Sequence, residues 1–268
     1  MMTMTEEQIS VAAKAVYATT PIDEVSSRYT FISTTQLIDD FAKFGWQVVR
    51  ARQQKSKKRS MHTKHMLTFR SPDFPAINGI HPEVIMINSH DRSSSFTFMI
   101  GLFRYICLNG LVVSDQIFES FRIRHIYYNF EEVEELANVM IDNIPNVLNW
   151  VTKLQTVQMT QNQQREFTVR AIASRFKDYV DDEGNVNVIA VEKAIDVDYI
   201  LTPIRTEDNN NSVWAVYNRV QEKLMNGGFT RVSGKDSKVR RTRAITNIKL
   251  DIDMNKALWQ LANEYLPD

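Results

Sequence analysis

Two strongly basic stretches carry the clearest chemical signal in the sequence. Between Arg50 and Arg70 there are eight lysine and arginine residues and no acid, and between Arg231 and Lys249 there are seven with one acid, Asp236. Each phosphate that such a cation neutralises releases counterions, so unpaired basic rows favour nucleic acid as a ligand. The expected nucleic-acid-binding residues are Arg50, Arg52, Lys55, Lys57, Lys58, Arg59, Lys64, Arg104, Lys238, Arg240, Arg241 and Arg243.

Each basic stretch also has an ordinary interpretation as a solvated loop, which is what most charge runs are. The net charge is zero because 32 acidic residues balance 32 basic ones, but acids cluster elsewhere, at 131–135 and 178–183. Single-stranded nucleic acid would also need aromatic rings on which bases can stack. Four aromatic residues are candidates for this role: Tyr29, Trp46, Tyr127 and Tyr128. Aromatic side chains more often belong to a core, however.

A second group of reactive side chains lies in the central segment 84–113, where two apolar runs flank a polar knot. His90 and Asp91 could form a base with its orienting carboxylate, as the centre of an enzyme. Three further histidines could join them as metal ligands: His62, His65 and His81. The sequence has none of the usual metal-binding spacings, however, and adjacent strand residues point to opposite faces. Because asparagine and aspartate in turns bond their own backbone, we expect a structural turn that sets the strand register.

Arg104 is a charge embedded in an apolar run of aromatic and aliphatic residues. If it is buried, it must meet a carboxylate or a phosphate. Asp91 and Asp115 are the internal candidates, and the alternative is contact with a ligand. The single cysteine, Cys107, follows in the same run and is expected to be a buried free thiol, which excludes a disulfide framework and fits a reducing, cytoplasmic setting.

Several classes of protein are excluded by what the sequence lacks. It has no glycine-rich loop that could cradle a phosphate, so the common nucleotide-hydrolysing and dinucleotide-binding schemes do not apply. We therefore expect no cofactor and no metal. No signal peptide is visible at the start of the chain, and no apolar run approaches the ~20 residues that cross a bilayer. A cytoplasmic protein without membrane contact is expected.

The elements that must position these residues change in character near residue 127. Before it, short alternating segments predict five or six strands, with one helix at 35–44 between the first strand, 27–32, and the second. The basic residues 50–61 are expected to form a hairpin tip, with 62–70 pairing back as an antiparallel strand. After residue 129 the period becomes helical, at 129–144, 161–177, 213–224 and 254–265, while 186–195 fits either a strand or a short helix. At Pro145 the first of these helices either kinks or gives way to a new one.

This order predicts an α+β fold, with a largely antiparallel sheet in the N-terminal half and a helix-rich C-terminal half packed on it. The sheet-rich region is expected at 1–128 and the helix-rich region at 129–268, interlocked with it as one domain.

The central motif resembles a family of phage and plasmid proteins whose shared domain has no known function. The residues that carry the resemblance run from Asn88 to Asp91 with Ser94, then from Gly101 to Arg104 and from Cys107 to Leu111. Further similar segments cover most of the chain: 27–29, 45–46, 64–65, Arg205 with 207–208, 214–222, 227–228 and 258–259. Family members usually have a glycine where this chain has Arg92, so the geometry of the turn does not carry over. The resemblance implies a prophage or mobile-element context and no particular activity.

From these observations we predict a non-enzymatic nucleic-acid-binding protein of a mobile element, with single-stranded DNA binding or strand annealing as the favoured form. The order of elements is similar in outline to phage strand-annealing proteins, which form rings, so a homo-oligomer is expected. One alternative is an interaction protein that inhibits or modifies a host defence system by binding a host protein. Another is an enzyme centred on His90, Asp91 and Arg104.

Overall fold

The computed structural model describes residues 3–23, 30–56, 60–77, 79–94, 96–104, 109–112, 122–123 and 130–267. Two compact units make up the chain, residues 1–145 and 146–268. The first unit contains the sheet and the second is mostly helical, so the predicted α+β class is confirmed.

An antiparallel sheet forms the centre of the first unit. Its strands are β1 (Gln47–Gln53), β2 (His65–Arg70), β3 (Ile80–Asn88), β4 (Phe96–Arg104), β5 (Asn109–Val112) and β6 (Arg122–Ile123). The order is β1-β2-β3-β4-β5, and β6 pairs with the first residues of β4. The register between β1 and β2 shifts between Val48 and Arg50, which places a bulge in β1. Long apolar stretches in β3 and β4 explain their central position, because both faces of these strands are buried.

Two helices of the first unit precede the sheet, α1 (Glu6–Ala12) and α2 (Thr34–Lys43). Ser33 caps α2 by accepting a hydrogen bond from the backbone of Gln36 at 3.3 Å. Phe41 on the apolar face of α2 packs on the sheet, with its ring 4.9 Å from that of Phe69 and 5.2 Å from that of Phe98. This contact closes one side of the core.

The remaining helices are α3 (Phe130–Thr156), α4 (Gln161–Arg175), α5 (Val188–Ala194), α6 (Val197–Leu201), α7 (Val213–Asn226) and α8 (Ile248–Asn263). A small hairpin, β7 (Thr230–Val232) and β8 (Val239–Arg241), lies between α7 and α8. Within the second unit α7 is the centre: residues 213–224 are all buried, and α4, α6 and α8 contact it. No helix in the described part of the chain is long and apolar enough to span a membrane.

Several boundaries differ from those expected. Residues 27–29 of the first expected strand lie outside the described residues, and 30–32 form no regular element. The expected tip at 50–61 is shorter, because β1 continues through Gln53 with Arg50 opposite Thr68 and Arg52 opposite Met66. The ambiguous segment 186–195 contains helix α5, and α8 begins at Ile248, where Asn247 provides the cap. Helix α3 continues through Pro145.

Replacing Phe41 with alanine should lower the free energy of unfolding by about 3–5 kcal/mol, because a fully buried ring is lost from the contact between α2 and the sheet. Urea denaturation followed by circular dichroism measures the change. Val11→Ala is the matched control, since that side chain is 85% exposed and should alter stability little. A Phe41→Ala protein as stable as the control would contradict the assignment of Phe41 to the core.

Candidate nucleic-acid interface

The hairpin of β7 and β8 presents the second basic stretch on an ordered ribbon. Its register places Thr230 opposite Arg241, Arg231 opposite Arg240, and Val232 opposite Val239. Because side chains alternate along a strand, Arg231 and Arg240 share one face while Val239 and Arg241 share the other. Residues 230–241 have no alternating apolar pattern, so the hairpin could not be anticipated from periodicity.

Asp178 and Tyr179 hold this hairpin in place. The guanidinium of Arg231 donates to Asp178 Oδ2 at 2.8 Å, and the backbone N–H of Gly234 donates to the same oxygen at 2.9 Å. Tyr179 Oη donates to the carbonyl of Val232 at 2.5 Å. A side chain at Gly234 would meet the carbonyl of Asp178 at 2.8 Å, so only glycine allows this approach. Strand β7 and the turn after it are thereby fixed to the short 3-10 turn Lys177–Tyr179, and β8 is held through its pairing with β7.

Four basic side chains of the hairpin region are exposed and form no hydrogen bond or ion pair within the described residues: Lys235, Lys238, Arg241 and Arg243. Arg240 differs, because it donates to both carboxylate oxygens of Asp236, at 2.6 and 2.5 Å. These hydrogen bonds hold the pKa of the Asp236 carboxyl well below its ordinary value. Residues 231–243 hold six basic residues and one acid, which gives a net charge of +5. Lys235 was not among the expected residues, although it is exposed in the same way as they are. Its position in the same basic stretch was the signal that could have identified it.

The first basic stretch is divided between a strand and a turn. Lys55 is exposed and Lys64 half-buried, and within the described residues neither side chain has an ion-pair partner. Three expected residues lie outside the described residues: Lys57, Lys58 and Arg59. Arg52 is half-buried on β1 and donates to Met66 Sδ at 3.7 Å. The turn after β1 therefore has at least one cation directed to solvent.

Arg50 takes part in a buried ion cluster. Glu83 in β3 is fully buried and accepts hydrogen bonds from Arg50 and from Arg70, the latter at 2.7 Å. Both guanidinium groups lie over the ring of Phe103, at 4.5 Å for Arg50 and 4.1 Å for Arg70. Burial raises the pKa of Glu83, and the two arginines oppose that rise. Arg50 is therefore paired with an acid inside the sheet. The sequence signal for this ion pair was Glu83, an acid within an apolar strand.

Arg104 and the pair His90–Asp91 do not form one cluster. Arg104 is 6% exposed and lies opposite Ile80 at the start of β3, whereas His90 follows the end of β3. Ten residues of extended chain separate Ile80 from His90, which is about 30 Å. The structure therefore places these residues at opposite ends of the β3–β4 hairpin. No group of metal-ligating side chains occurs among the described residues.

Two histidines instead meet in a buried polar cluster at the end of the sheet. His65 Nδ1 is 3.0 Å from the carbonyl of Thr63, which can only accept, so this nitrogen carries the proton. His65 Nε2 then accepts from Thr34 Oγ1 at 2.8 Å, and Asn88 Nδ2 donates to that hydroxyl at 3.0 Å. The ring of His90 lies 5.1 Å from that of His65, and its Nε2 is 3.4 Å from Thr34 Oγ1. Both imidazoles are fully buried. Because Thr34 belongs to α2 and His65 to β2, the cluster connects α2 to the sheet.

The polar turn after β3 bonds its own backbone, as expected. Ser93 N donates to Asp91 Oδ1 at 3.0 Å, and Ser94 N donates to Ser89 Oγ at 2.9 Å. Arg92 has φ 63°, in the left-handed region that glycine adopts readily. The residue at which this chain departs from the resembled family is therefore strained.

Comparison with known proteins places the chain in a family. Residues 21–246 match the model of the domain of unknown function DUF932. The chain belongs to the DUF932 family. Two Escherichia coli (strain K12) proteins, UPF0380 protein YfjQ and UPF0380 protein YafZ, are each 32% identical to it, in an alignment that covers 98% of this chain and 92% of each relative. No solved structure matches the chain. The resemblance to a family with a shared domain of unknown function is confirmed, and DUF932 membership itself assigns no activity.

Replacing Arg92 with glycine should stabilise the protein by about 0.5–1 kcal/mol. A left-handed residue with a side chain costs about 1–2 kcal/mol, and the extra freedom of glycine in the unfolded chain offsets part of that gain. The melting temperature measures the effect. Arg92→Ala removes the same charge but keeps the strain, so it should give no comparable gain. Equal behaviour of the two variants would contradict a backbone origin.

Acid should destabilise the protein through His65. Burial lowers the pKa of this imidazole to about 4 from 6.5, so the unfolded chain takes up the proton first as the pH falls. Stability is then complete above about pH 6.5 and decreases as the pH falls towards 4, by up to about 3 kcal/mol. Urea denaturation at several pH values should show a steeper loss for the wild-type protein than for His65→Gln. Parallel pH profiles would refute this origin.

Proposed function

We propose that the protein binds nucleic acid, with the β7–β8 hairpin as its main contact. The supporting observation is that Lys238, Arg241 and Arg243 are exposed and have no acidic partner within the described residues, on a hairpin that Asp178 and Tyr179 hold in place. Cations on an ordered hairpin lose less backbone freedom on binding phosphate than cations on an unstructured loop. The chain as a whole has zero net charge, whereas the hairpin carries a concentrated positive charge. The ligand of the hairpin should therefore be strongly anionic.

Arginine is suited to this role because its planar guanidinium can donate two parallel hydrogen bonds to one phosphate. Arg241 and Arg243 are available for such contacts, while Arg240 is engaged by Asp236. Lys55 on the turn after β1 would be a second phosphate contact, together with its basic neighbours in the sequence. Contacts of this kind position the protein on a backbone without reading its sequence.

The favoured form, binding or annealing of single-stranded DNA by an oligomer, depends on aromatic side chains. Of the four expected residues, Trp46 is 1% exposed and stacks on Phe74 with ring centroids 5.5 Å apart. The other three, Tyr29, Tyr127 and Tyr128, lie outside the described residues. The phosphate contacts proposed here serve single and double strands alike, so the preference is a question for binding measurements.

Alanine at Lys238, Arg241 and Arg243 together should weaken nucleic-acid binding and reduce its dependence on salt. Three lost phosphate contacts lower the slope of log K against log salt concentration by roughly 2 for single strands and roughly 3 for duplex DNA. Fluorescence anisotropy with labelled DNA at several salt concentrations gives both quantities.

The matched control replaces three exposed lysines from outside both basic stretches by alanine: Lys14, Lys153 and Lys193. It changes the net charge equally, so it should keep most of the affinity. If both triple variants lose binding to the same extent, the hairpin has no special role. If the wild-type protein binds no nucleic acid at low salt, the proposed function is wrong.

A further inference from the structure

The ribbon of β7 and β8 is longer than its two strands. Beyond them, Thr242 N donates to the carbonyl of Phe229 at 2.8 Å, and Gly228 N donates to the carbonyl of Thr242 at 3.1 Å. Paired chain therefore runs over residues 228–233 and 238–242. The six residues of the first of these segments give a ribbon about 20 Å long.

The two faces of this ribbon have different roles. On the inner face Arg231 bonds Asp178, and its guanidinium lies 4.4 Å from the centre of the Phe176 ring. On the outer face Val239 is 71% exposed and lies between Lys238 and Arg241 in the sequence. An exposed branched aliphatic side chain contributes nothing to phosphate binding. It does suit contact with an apolar group at the floor of an anionic groove.

Building on the proposed function, we propose that the outer face of this ribbon enters the major groove of duplex DNA. Val239 would contact thymine methyl groups, and Arg241 and Arg243 would bind the phosphates and base edges around them. Lys238, next to the turn, would bind a phosphate at the edge of the groove. The major groove of DNA is about 12 Å wide and admits a two-stranded ribbon, while the minor groove is about 6 Å wide. In duplex RNA the major groove is too narrow for side chains to read.

The spacing on the ribbon supports this orientation. Val239 and Arg241 are two residues apart on one face, a separation of about 6.6 Å, and two base-pair steps along DNA span about 6.8 Å. The outer-face residues Thr230, Val232, Val239 and Arg241 include no aromatic ring on which an unpaired base could stack. The ribbon therefore suits duplex DNA better than a single strand.

Removing the thymine methyl group tests the contact directly. Binding is measured by fluorescence anisotropy for an oligo(dA)·oligo(dT) duplex, for the same duplex with deoxyuridine in place of thymidine, and for oligo(dT) alone. The wild-type protein should bind the thymine duplex most tightly and lose about fourfold in affinity when the methyl groups are removed. Val239→Ala should bind both duplexes equally, near the wild-type affinity for the deoxyuridine duplex.

Val11→Ala is the matched control, since this valine of α1 is 85% exposed and belongs to the first unit, whereas the ribbon belongs to the second. It should discriminate between the two duplexes as the wild type does. The inference is overturned if Val239→Ala keeps the discrimination, if the wild type has none, or if oligo(dT) binds as tightly as the thymine duplex. In each of those cases salt-dependent binding would leave the proposed function standing. Absence of binding to all three probes at low salt would overturn both.

Discussion

One carboxylate, that of Asp178, determines where the basic ribbon stands. Its Oδ2 accepts from the side chain of Arg231 and from the backbone of Gly234, so it bonds both the first strand and the turn. The side chain of Asp178 is only 9% exposed, which means that water competes little for these bonds. Without such an anchor a hairpin with strands of three residues and six basic residues would have little reason to remain ordered. The exposure of Val239 and Arg241 on the opposite face follows from this fixed inner face.

In the sheet an acid also bonds arginine side chains, but there it holds their charge inside the fold. Glu83 draws Arg50 and Arg70 against Phe103, so charges that look available in the sequence are used inside the fold. Breaking such a buried pair is costly, because the remaining charge is left without compensation. The two basic stretches thus differ in the position of their acids. In the first, a buried acid holds two of the arginines, and in the second the acids leave four cations facing solvent.

Much of the fold could be read from the sequence, because its signals are local. Apolar runs on either side of a polar knot predicted β3 and β4, and helical spacing predicted α2, α4 and α7. The failures have long-range causes. Nothing near Arg50 reveals that its partner lies 33 residues away, so the charge pattern predicts a hairpin tip for residues 50–53, which belong to β1. Helix α8 begins earlier than its apolar period suggests, because residues 248–253 alternate apolar and charged side chains and only the cap at Asn247 marks the start.

Only part of the candidate site could be predicted from the sequence. Composition identified the basic residues, since a run of cations without acids is visible in any window of the sequence. It could not identify the ribbon, because strands of three residues carry no readable period, and it could not identify Asp178, which lies in an acidic cluster more than 50 residues from the hairpin. Which cations face solvent is decided by those distant contacts.

The bulge in β1 has a consequence for how the protein behaves at high concentration. Strand β1 is the last strand at its end of the sheet, and an uncovered last strand can pair with another molecule. Beyond the shift at Val48 and Arg50, the strand carries arginines at positions 50 and 52, and the backbone N–H of Met4 already occupies the carbonyl of Val48. A bent strand that bears charge and is partly covered is a poor template for intermolecular β-pairing. Arg50 and Arg52, which the sequence predicts as phosphate contacts, are therefore also residues that disfavour intermolecular pairing along β1.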